Sequence, residues 1–144
     1  MIIDTTYLLP LARIDIRTDL LRAIVEKRTN IDLELNDLKI SLISIFELQA
    51  KATKLGISPE NISEAINVIL NVFDTIPFYR ADIIDTAYSL YRNYLNDYID
   101  CIILATAIVL KESLITEDKR ILSIKKRVKE RYDIEIYSYD DLIK

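Results

Sequence analysis

The chain has no histidine, and this absence excludes several kinds of catalytic site. Without an imidazole, neither Ser-His-Asp nor Cys-His nucleophilic chemistry is available, and histidine-ligated zinc is excluded as well. A single cysteine, Cys101, likewise excludes internal disulfides and thiolate metal sites. A single glycine, Gly56, leaves neither a phosphate-binding loop nor a dinucleotide-binding fingerprint. Any catalysis must therefore use carboxylates, hydroxyls, lysines or arginines, or a metal ion that they hold.

The length of 144 residues predicts a single domain over residues 1–144 with a core of ordinary size. The N-terminus has no basic leader and no signal-peptide cleavage site, and the apolar run Cys101–Leu110 is too short to cross a bilayer. With one cysteine, these features predict a cytoplasmic protein with no membrane partner. The net charge of −4 argues against a general nucleic-acid coat.

Short apolar segments alternate with amphipathic segments along the whole chain. Strands are predicted near residues 1–4, 38–44, 75–77, 113–116 and 134–136, where apolar residues follow one another with little polar alternation. Helices are predicted at residues 6–12, 17–28, 44–56, 58–73, 80–95, 97–110 and 119–131, with a short one at the C-terminus. Strands that alternate with helices predict an α/β fold, a mainly parallel sheet with helices on both faces.

Four acidic residues are predicted to meet at one edge of this sheet. They are Asp4 after the first strand, Glu47 in the helix after the second, Asp100 at the start of the apolar helix and Asp118 after the fourth strand. Each has a structural explanation as a helix cap or as a partner of a helix dipole, and Asp97 and Asp100 have the spacing of an N-cap residue and its N3 partner. The carboxyl ends of parallel strands, however, open on the same side of a sheet.

Convergence of these acids would have an electrostatic consequence that capping does not predict. Two like charges about 5 Å apart repel by roughly 3 kcal/mol at an effective dielectric constant near 20. A cluster of four carboxylates must therefore take up protons or hold cations. Hard oxygen ligands without nitrogen or sulfur donors suit Mg²⁺ or Mn²⁺.

Four short motifs resemble those of PIN domains. They are Ile-Ile-Asp-Thr-Thr at 2–6, Ser-Ile-Phe-Glu-Leu at 44–48, Asp-Cys-Ile-Ile-Leu-Ala-Thr-Ala at 100–107 and Leu-Ile-Thr-Glu-Asp at 114–118. Their order and spacing match over essentially the whole chain, and the short form is similar to VapC-type toxins of toxin–antitoxin pairs. The resemblance implies a three-layer α/β/α sandwich whose central parallel sheet has about five strands in the order 3-2-1-4-5.

The resemblance also implies a metal-dependent ribonuclease. The implied catalytic and metal-binding residues are Asp4, Glu47, Asp100 and Asp118, and Thr116 is the hydroxyl that accompanies the last of them. Asp97 and Glu117 lie beside motif positions and would support the ligands from outside the coordination sphere of the metal. The sequence departs from the family pattern at Lys111-Glu112-Ser113, where a glycine is usual between the third and fourth motifs.

The sequence leaves three alternatives open. One is a non-catalytic protein-interaction module on the same scaffold, with its acids serving as helix caps. Another is a PIN nuclease of RNA processing rather than a toxin. The third is a phosphoacceptor receiver domain, which is disfavoured because Asp4 has no adjacent acidic partner and no strand in the middle of the chain ends in an aspartate.

Partner-binding residues are predicted from a basic segment and from a tyrosine stripe. Residues 119–131 contain seven basic residues and one acidic residue in an acidic chain, so Lys125, Lys126 and Arg127 are candidate RNA contacts, although a solvated helix face is the simpler explanation. The stripe Tyr88, Tyr91 and Tyr94 suggests a homodimer surface or ordinary packing. A small antitoxin protein is the further partner that the resemblance implies.

Overall fold

The structure is a computed structural model that describes residues 1–144. Five short strands form its sheet: β1 Ile2–Ile3, β2 Lys39–Ser41, β3 Asp74–Ile76, β4 Leu114–Ile115 and β5 Ile136–Tyr137. Their order is β3-β2-β1-β4-β5 and every neighbouring pair is parallel. The predicted fold class and strand order are confirmed.

Eight α-helices and two 3₁₀-helices accompany the strands, and all but the last of them lie between strands in the chain. The α-helices are α1 Leu20–Val25, α2 Ile43–Lys54, α3 Pro59–Val72, α4 Ala81–Asn93, α5 Tyr98–Leu110, α6 Lys119–Ser123, α7 Lys125–Tyr132 and α8 Tyr139–Leu142. The 3₁₀-helices are Thr5–Ala12 and Leu35–Asp37. No helix has the length and apolar character needed to cross a membrane.

Successive residues of a strand contribute to different cores, because their side chains point to opposite faces of the sheet. Ile3 and Ile115 lie in a core formed with the first 3₁₀-helix, α1, α2 and α3. Ile2 and Leu114 lie in a second core, formed with α4, α5, α6 and α7. The molecule therefore has three layers, and α5 is buried at every position from Asp100 to Ala107.

Local interactions explain most of the helix boundaries. Ser58 caps α3 by accepting a hydrogen bond from the Asn61 N–H at 3.2 Å, and Pro59 occupies the first turn, where it needs no hydrogen-bond acceptor. Gly56 follows the end of α2 with a φ of 73°, a left-handed conformation that glycine adopts at little cost. Both boundaries agree with the prediction.

The basic segment 119–131, predicted as one helix, is divided into α6 and α7 at Ile124. The Ser123 hydroxyl donates to the Arg120 carbonyl oxygen at 2.6 Å, and the Ile124 N–H bonds to the Ile121 carbonyl oxygen at 3.1 Å instead of continuing the α-helical pattern. A serine side chain that competes for a backbone carbonyl is a known cause of such breaks. The two basic groups of residues consequently lie on separate helices.

Candidate active site

Asp4 is the most buried of the four predicted site acids and lies directly after β1. Its residue surface is 8% exposed, and its N–H donates to the Ile115 carbonyl oxygen at 3.0 Å, which continues the pairing of β1 with β4. Oδ1 accepts a hydrogen bond from the Thr5 N–H at 2.7 Å, and Oδ2 accepts one from the Thr116 hydroxyl at 2.6 Å. Burial raises the pKa of Asp4, although these two hydrogen bonds act in the opposite direction.

Thr116 connects two of the acids. Its fully buried hydroxyl donates to Asp4 and accepts a hydrogen bond from the Asp118 N–H at 3.0 Å. The threonine of the fourth motif therefore fixes the orientation of the Asp4 carboxylate relative to the turn that carries Asp118.

Glu47 lies in α2, the helix that follows β2, and β2 is a neighbour of β1 in the sheet. Its Oε1 accepts a hydrogen bond from the Thr5 hydroxyl at 2.6 Å, so Thr5 contacts Asp4 with its backbone and Glu47 with its side chain. Burial raises the pKa of Glu47; the hydrogen bond from Thr5 lowers it and the charge of Asp4 raises it. Lys51, one turn further along α2, lowers the pKa of both carboxyl groups through its charge.

Asp100 has the most strongly perturbed carboxyl group of the four. Burial raises its pKa to about 7, and the charges of Asp118, Asp97 and Asp4 contribute in the same direction. Asp97 caps α5 by accepting a hydrogen bond from the Asp100 N–H at 3.1 Å. The predicted capping role of Asp97 is thus observed, and its charge also reaches Asp100.

Asp118 and Asp100 are bridged by Arg120. The guanidinium nitrogen Nη2 lies 3.0 Å from Oδ2 of Asp100 and 3.2 Å from Oδ2 of Asp118. Asp118 also caps α6, because its Oδ1 accepts hydrogen bonds from the N–H groups of Arg120 at 2.8 Å and Ile121 at 3.2 Å. Burial acts to raise the pKa of Asp118, but the hydrogen bonds from Arg120 and from these two N–H groups outweigh it and lower the pKa.

The donor chemistry of these acids fits a hard divalent ion, but their side chains do not form a closed metal site. No three acidic side chains of the chain are close enough together to surround an ion. The pKa values of Asp4, Glu47 and Asp100 are nevertheless raised in part by neighbouring carboxylates, which is the charge imbalance that a cation would relieve. All four side chains offer only oxygen ligands, as Mg²⁺ and Mn²⁺ prefer.

Glu117 has different contacts from the four acids. Its Oε1 accepts hydrogen bonds from the Tyr7 hydroxyl and from the Tyr139 N–H, both at 2.6 Å. It therefore ties the first 3₁₀-helix and α8 to the end of β4, and none of its hydrogen bonds reaches the four acids.

The candidate partner-binding residues lie outside the acidic site. Lys125, Lys126 and Arg127 are exposed in the first turn of α7, and the Arg127 guanidinium lies 4.6 Å from the ring centroid of Tyr94. Tyr88 and Tyr91 are exposed on α4, whereas Tyr94 is half-buried beneath Arg127. The three tyrosines therefore do not form one continuous exposed surface: Tyr88 and Tyr91 are exposed, whereas Tyr94 packs against Arg127.

Sequence reasoning missed three residues of the site, namely Thr5, Lys51 and Arg120. A hydroxyl directly after Asp4 and a lysine one turn after Glu47 were available as signals, because both positions are fixed by local geometry. The contact of Arg120 with Asp100 had no local signal, since the two residues lie on different elements.

Comparison with known proteins agrees with this geometry. Residues 1–127 match the sequence model of the PIN domain, and the chain therefore belongs to the PIN domain family. No curated protein matches the chain significantly.

Several solved structures resemble the fold, including the following three. A toxin–antitoxin complex from Klebsiella pneumoniae is 26% identical with a TM-score of 0.64, and the match covers 85% of this chain and 91% of that one. VapBC2 from Rickettsia felis, bound to a promoter DNA fragment, is 18% identical with a TM-score of 0.60, covering 95% and 96%. FitAcB from Neisseria gonorrhoeae is 18% identical with a TM-score of 0.64, covering 96% of both chains.

Proposed function

We propose that residues 1–144 act as one nuclease domain, a Mg²⁺- or Mn²⁺-dependent endoribonuclease that serves as the toxin of a VapBC-type toxin–antitoxin pair. The observation that carries the proposal is the position of Asp4, Asp100 and Asp118 at the carboxyl edge of a PIN-type sheet: the charge of Asp118 raises the pKa of Asp4, and the charges of Asp118 and Asp4 both raise the pKa of Asp100. Capping alone gives no reason to bring these carboxylates within electrostatic reach of one another.

Asp4, Asp100 and Asp118 would hold the ion. Glu47 would lie beside them on α2, the helix that follows β2. When bound, a divalent ion supplies an acidified water as nucleophile and neutralises charge on the scissile phosphodiester. The hydroxyls of the site orient the ligands: Thr116 holds Asp4, and Thr5 holds Glu47. Asp97 fixes the first turn of α5 and so the position from which Asp100 projects.

RNA would approach the site along α7, where Lys125, Lys126 and Arg127 offer three exposed cations in one turn. Phosphate contacts of this kind supply most of the sequence-independent affinity for nucleic acid. A chain with a net charge of −4 can bind a polyanion only where its cations are segregated in this way.

The proposed protein partners are a small antitoxin and a second copy of the chain. One similar solved structure is described as a toxin–antitoxin complex, and the motif pattern of this chain resembles that of VapC-type toxins. Tyr88 and Tyr91 are 62% and 47% exposed on α4, an aromatic surface of the kind that forms subunit contacts. A receiver domain is not proposed, because the strand order 3-2-1-4-5 differs from the 2-1-3-4-5 order of that fold.

The test is cleavage of single-stranded RNA with Mn²⁺, with Mg²⁺ and with EDTA. We expect the wild-type protein to cleave only with a divalent ion, and Asp100→Asn to reduce the rate by at least about 100-fold, because loss of an outer partner of a metal site alone costs 10–100-fold. Asp85→Asn is the matched control, since Asp85 is an exposed aspartate of α4 without an ion pair. Cleavage that persists in EDTA, or in Asp100→Asn at the rate of the control, would contradict the proposal.

A non-catalytic interaction module would give a different result. It would neither bind Mn²⁺ nor cleave RNA, and Asp100→Asn would then lower stability by weakening the start of α5. A PIN nuclease of RNA processing would cleave RNA but would have no antitoxin partner that abolishes its activity.

A further inference from the structure

We propose that Arg120 occupies the cation position between Asp100 and Asp118, and that it thereby lowers the affinity of the site for a divalent ion. The inference rests on the proposed function for the identity of the ion. A single nitrogen, Nη2, contacts one carboxylate oxygen of each aspartate, at 3.0 Å and 3.2 Å. This is the arrangement of a bridging cation rather than of one isolated ion pair.

The three partners differ in how firmly they are held. The Asp118 carboxylate is fixed by two backbone N–H groups at the start of α6, and the Asp100 side chain is only 13% exposed at the start of the buried helix α5. The Arg120 side chain is 55% exposed and has one further polar contact, from Nη1 to Asn96 Oδ1 at 3.5 Å. The guanidinium is therefore the group that can leave, while the two aspartates stay in place.

A divalent ion and the guanidinium cannot share this position. Mg²⁺ binds oxygen ligands at 2.0–2.1 Å, whereas a guanidinium nitrogen lies about 3 Å from its oxygen partners, and the two cations repel each other. An arginine is not neutralised by losing its proton at any pH at which the protein is folded. Binding of an ion by Asp100 and Asp118 must therefore break both contacts of Arg120, and the free energy of those contacts is subtracted from the affinity for the ion.

When no divalent ion is bound, Arg120 supplies a positive charge that partly compensates Asp100 and Asp118. The charge of Arg120 lowers the pKa of Asp100, against the combined effect of burial and of three neighbouring carboxylates, and it helps to keep the pKa of Asp118 below its usual value. Arg120 should thus stabilise the metal-free state and weaken metal binding by the same contacts.

Arg92 offers a matched control. It is an exposed arginine that lines the same surface depression as Arg120, and it has no carboxylate partner within 4.0 Å. Arg120→Gln and Arg92→Gln therefore remove the same charge from the same region, but only the first removes the bridge. Binding of Mn²⁺ without RNA is measured by calorimetry, and the melting temperature is measured in EDTA.

We expect Arg120→Gln to bind Mn²⁺ about tenfold more tightly than Arg92→Gln, because the competing contacts to both aspartates are lost. In EDTA the same variant should melt below Arg92→Gln. Arg120→Lys keeps the charge without the planar fork and should bind Mn²⁺ with an affinity between those of the wild type and Arg120→Gln. This variant also preserves the test if the glutamine variant does not fold.

Several results would overturn the inference. Equal or weaker Mn²⁺ binding by Arg120→Gln relative to Arg92→Gln would show that Arg120 is an ordinary surface cation or a support of the ligands. Absence of Mn²⁺ binding in both the wild type and Arg120→Gln would overturn the proposed function together with this inference. Binding by Arg120→Gln alone would support the inference in its strongest form.

Discussion

The two ends of strands β1, β2 and β4 carry acidic groups in opposite electrostatic states. At the amino ends, Glu112 accepts hydrogen bonds from Lys39 and from the N-terminal amine, the latter at 2.7 Å. Burial acts to raise the pKa of Glu112, but these two cations outweigh it and lower the pKa. At the carboxyl ends, Asp100 meets three carboxylates and one arginine, and burial with these charges raises its pKa to about 7.

The difference separates an acid that stabilises the fold from acids available for chemistry. Glu112 has two cationic partners and joins the starts of three strands, so its charge is compensated within the chain. Asp100 has three negative neighbours and one positive neighbour, Arg120, so its charge is compensated only in part within the chain and a proton or an added cation would compensate it further. Perturbed carboxyl groups of the second kind are typical of functional sites.

The largest expected effect is an opposite pH dependence of stability at the two edges. The pKa of Asp100 is raised above its unfolded value of 3.8, so the stabilisation from its protonated form is present below about pH 4 and is lost as the pH rises towards 7. The pKa of Glu112 is lowered, so its contribution is present above about pH 4.5 and is lost as the pH falls further.

In EDTA, we therefore expect the free energy of unfolding to fall by on the order of 2 kcal/mol between pH 4 and pH 8 through Asp100, about half of the unscreened value for such a shift. Asp100→Asn should remove most of this fall and be the more stable protein at pH 8. Urea denaturation at several pH values measures both quantities. A wild-type slope that persists unchanged in Asp100→Asn would place the titrating group elsewhere.

A smaller effect is expected from breaking the compensated edge. Glu112→Gln leaves the partly buried Lys39 and N-terminal amine without an acidic partner, and should lower the free energy of unfolding by about 1–2 kcal/mol. Affinity for Mn²⁺ should not change, because Glu112 lies at the other end of the strands. Asp37→Asn is a suitable control, since only the backbone carbonyl of Asp37 contacts the amine. Weaker Mn²⁺ binding by Glu112→Gln would show that the two edges are coupled.

The route of RNA can be tested by removing cations from one edge at a time. Replacing Lys125, Lys126 and Arg127 by Ser should flatten the log–log salt dependence of RNA binding by roughly 1–2 units if two or three of them contact phosphates. The control removes three cations that lie away from the acids, Lys27, Lys111 and Lys144, and should leave the slope nearly unchanged. Equal slopes in the two triple variants would mean that α7 is only a solvated helix face.

Much of the fold could be predicted because its signals are local. Apolar pairs such as Ile2-Ile3 and Leu114-Ile115 are followed within three residues by the acids Asp4 and Asp118, and parallel strands place such residues at one edge. The motif resemblance added the strand order, which periodicity cannot provide. The prediction that the four acids lie at one edge of the sheet was based on topology rather than on any one segment.

The electrostatic partners could not be predicted in the same way. Arg120 belongs by composition to a basic segment, and only the tertiary fold brings its side chain to Asp100, 20 residues away in sequence. Glu112 and Lys39 are similarly 73 residues apart. Glu117 was predicted as a support of the site because it precedes Asp118, but successive residues point in different directions and its carboxylate reaches Tyr7 instead.

The smallest expected effect concerns the missing glycine at the start of the loop between α5 and β4. Lys111 has φ 53° and ψ 44°, a left-handed conformation that costs a non-glycine residue about 1–2 kcal/mol. Its side chain is exposed and has no ion pair, so replacement loses no contact. Lys111→Gly should therefore stabilise the protein, but by only about 0.5 kcal/mol, because glycine also increases the entropy of the unfolded chain.

Lys111→Ala separates this conformational effect from loss of the lysine, since alanine removes the charge and keeps the strain. Urea denaturation should rank Lys111→Gly above both the wild type and Lys111→Ala, with RNA cleavage and Mn²⁺ affinity unchanged in all three. Because this loop belongs to the edge where Glu112 is compensated, a gain in stability without a change at the acids would confirm that the amino ends of the strands can be altered independently of the site. If the alanine variant were as stable as the glycine variant, Lys111 would be destabilising through its charge rather than through its backbone.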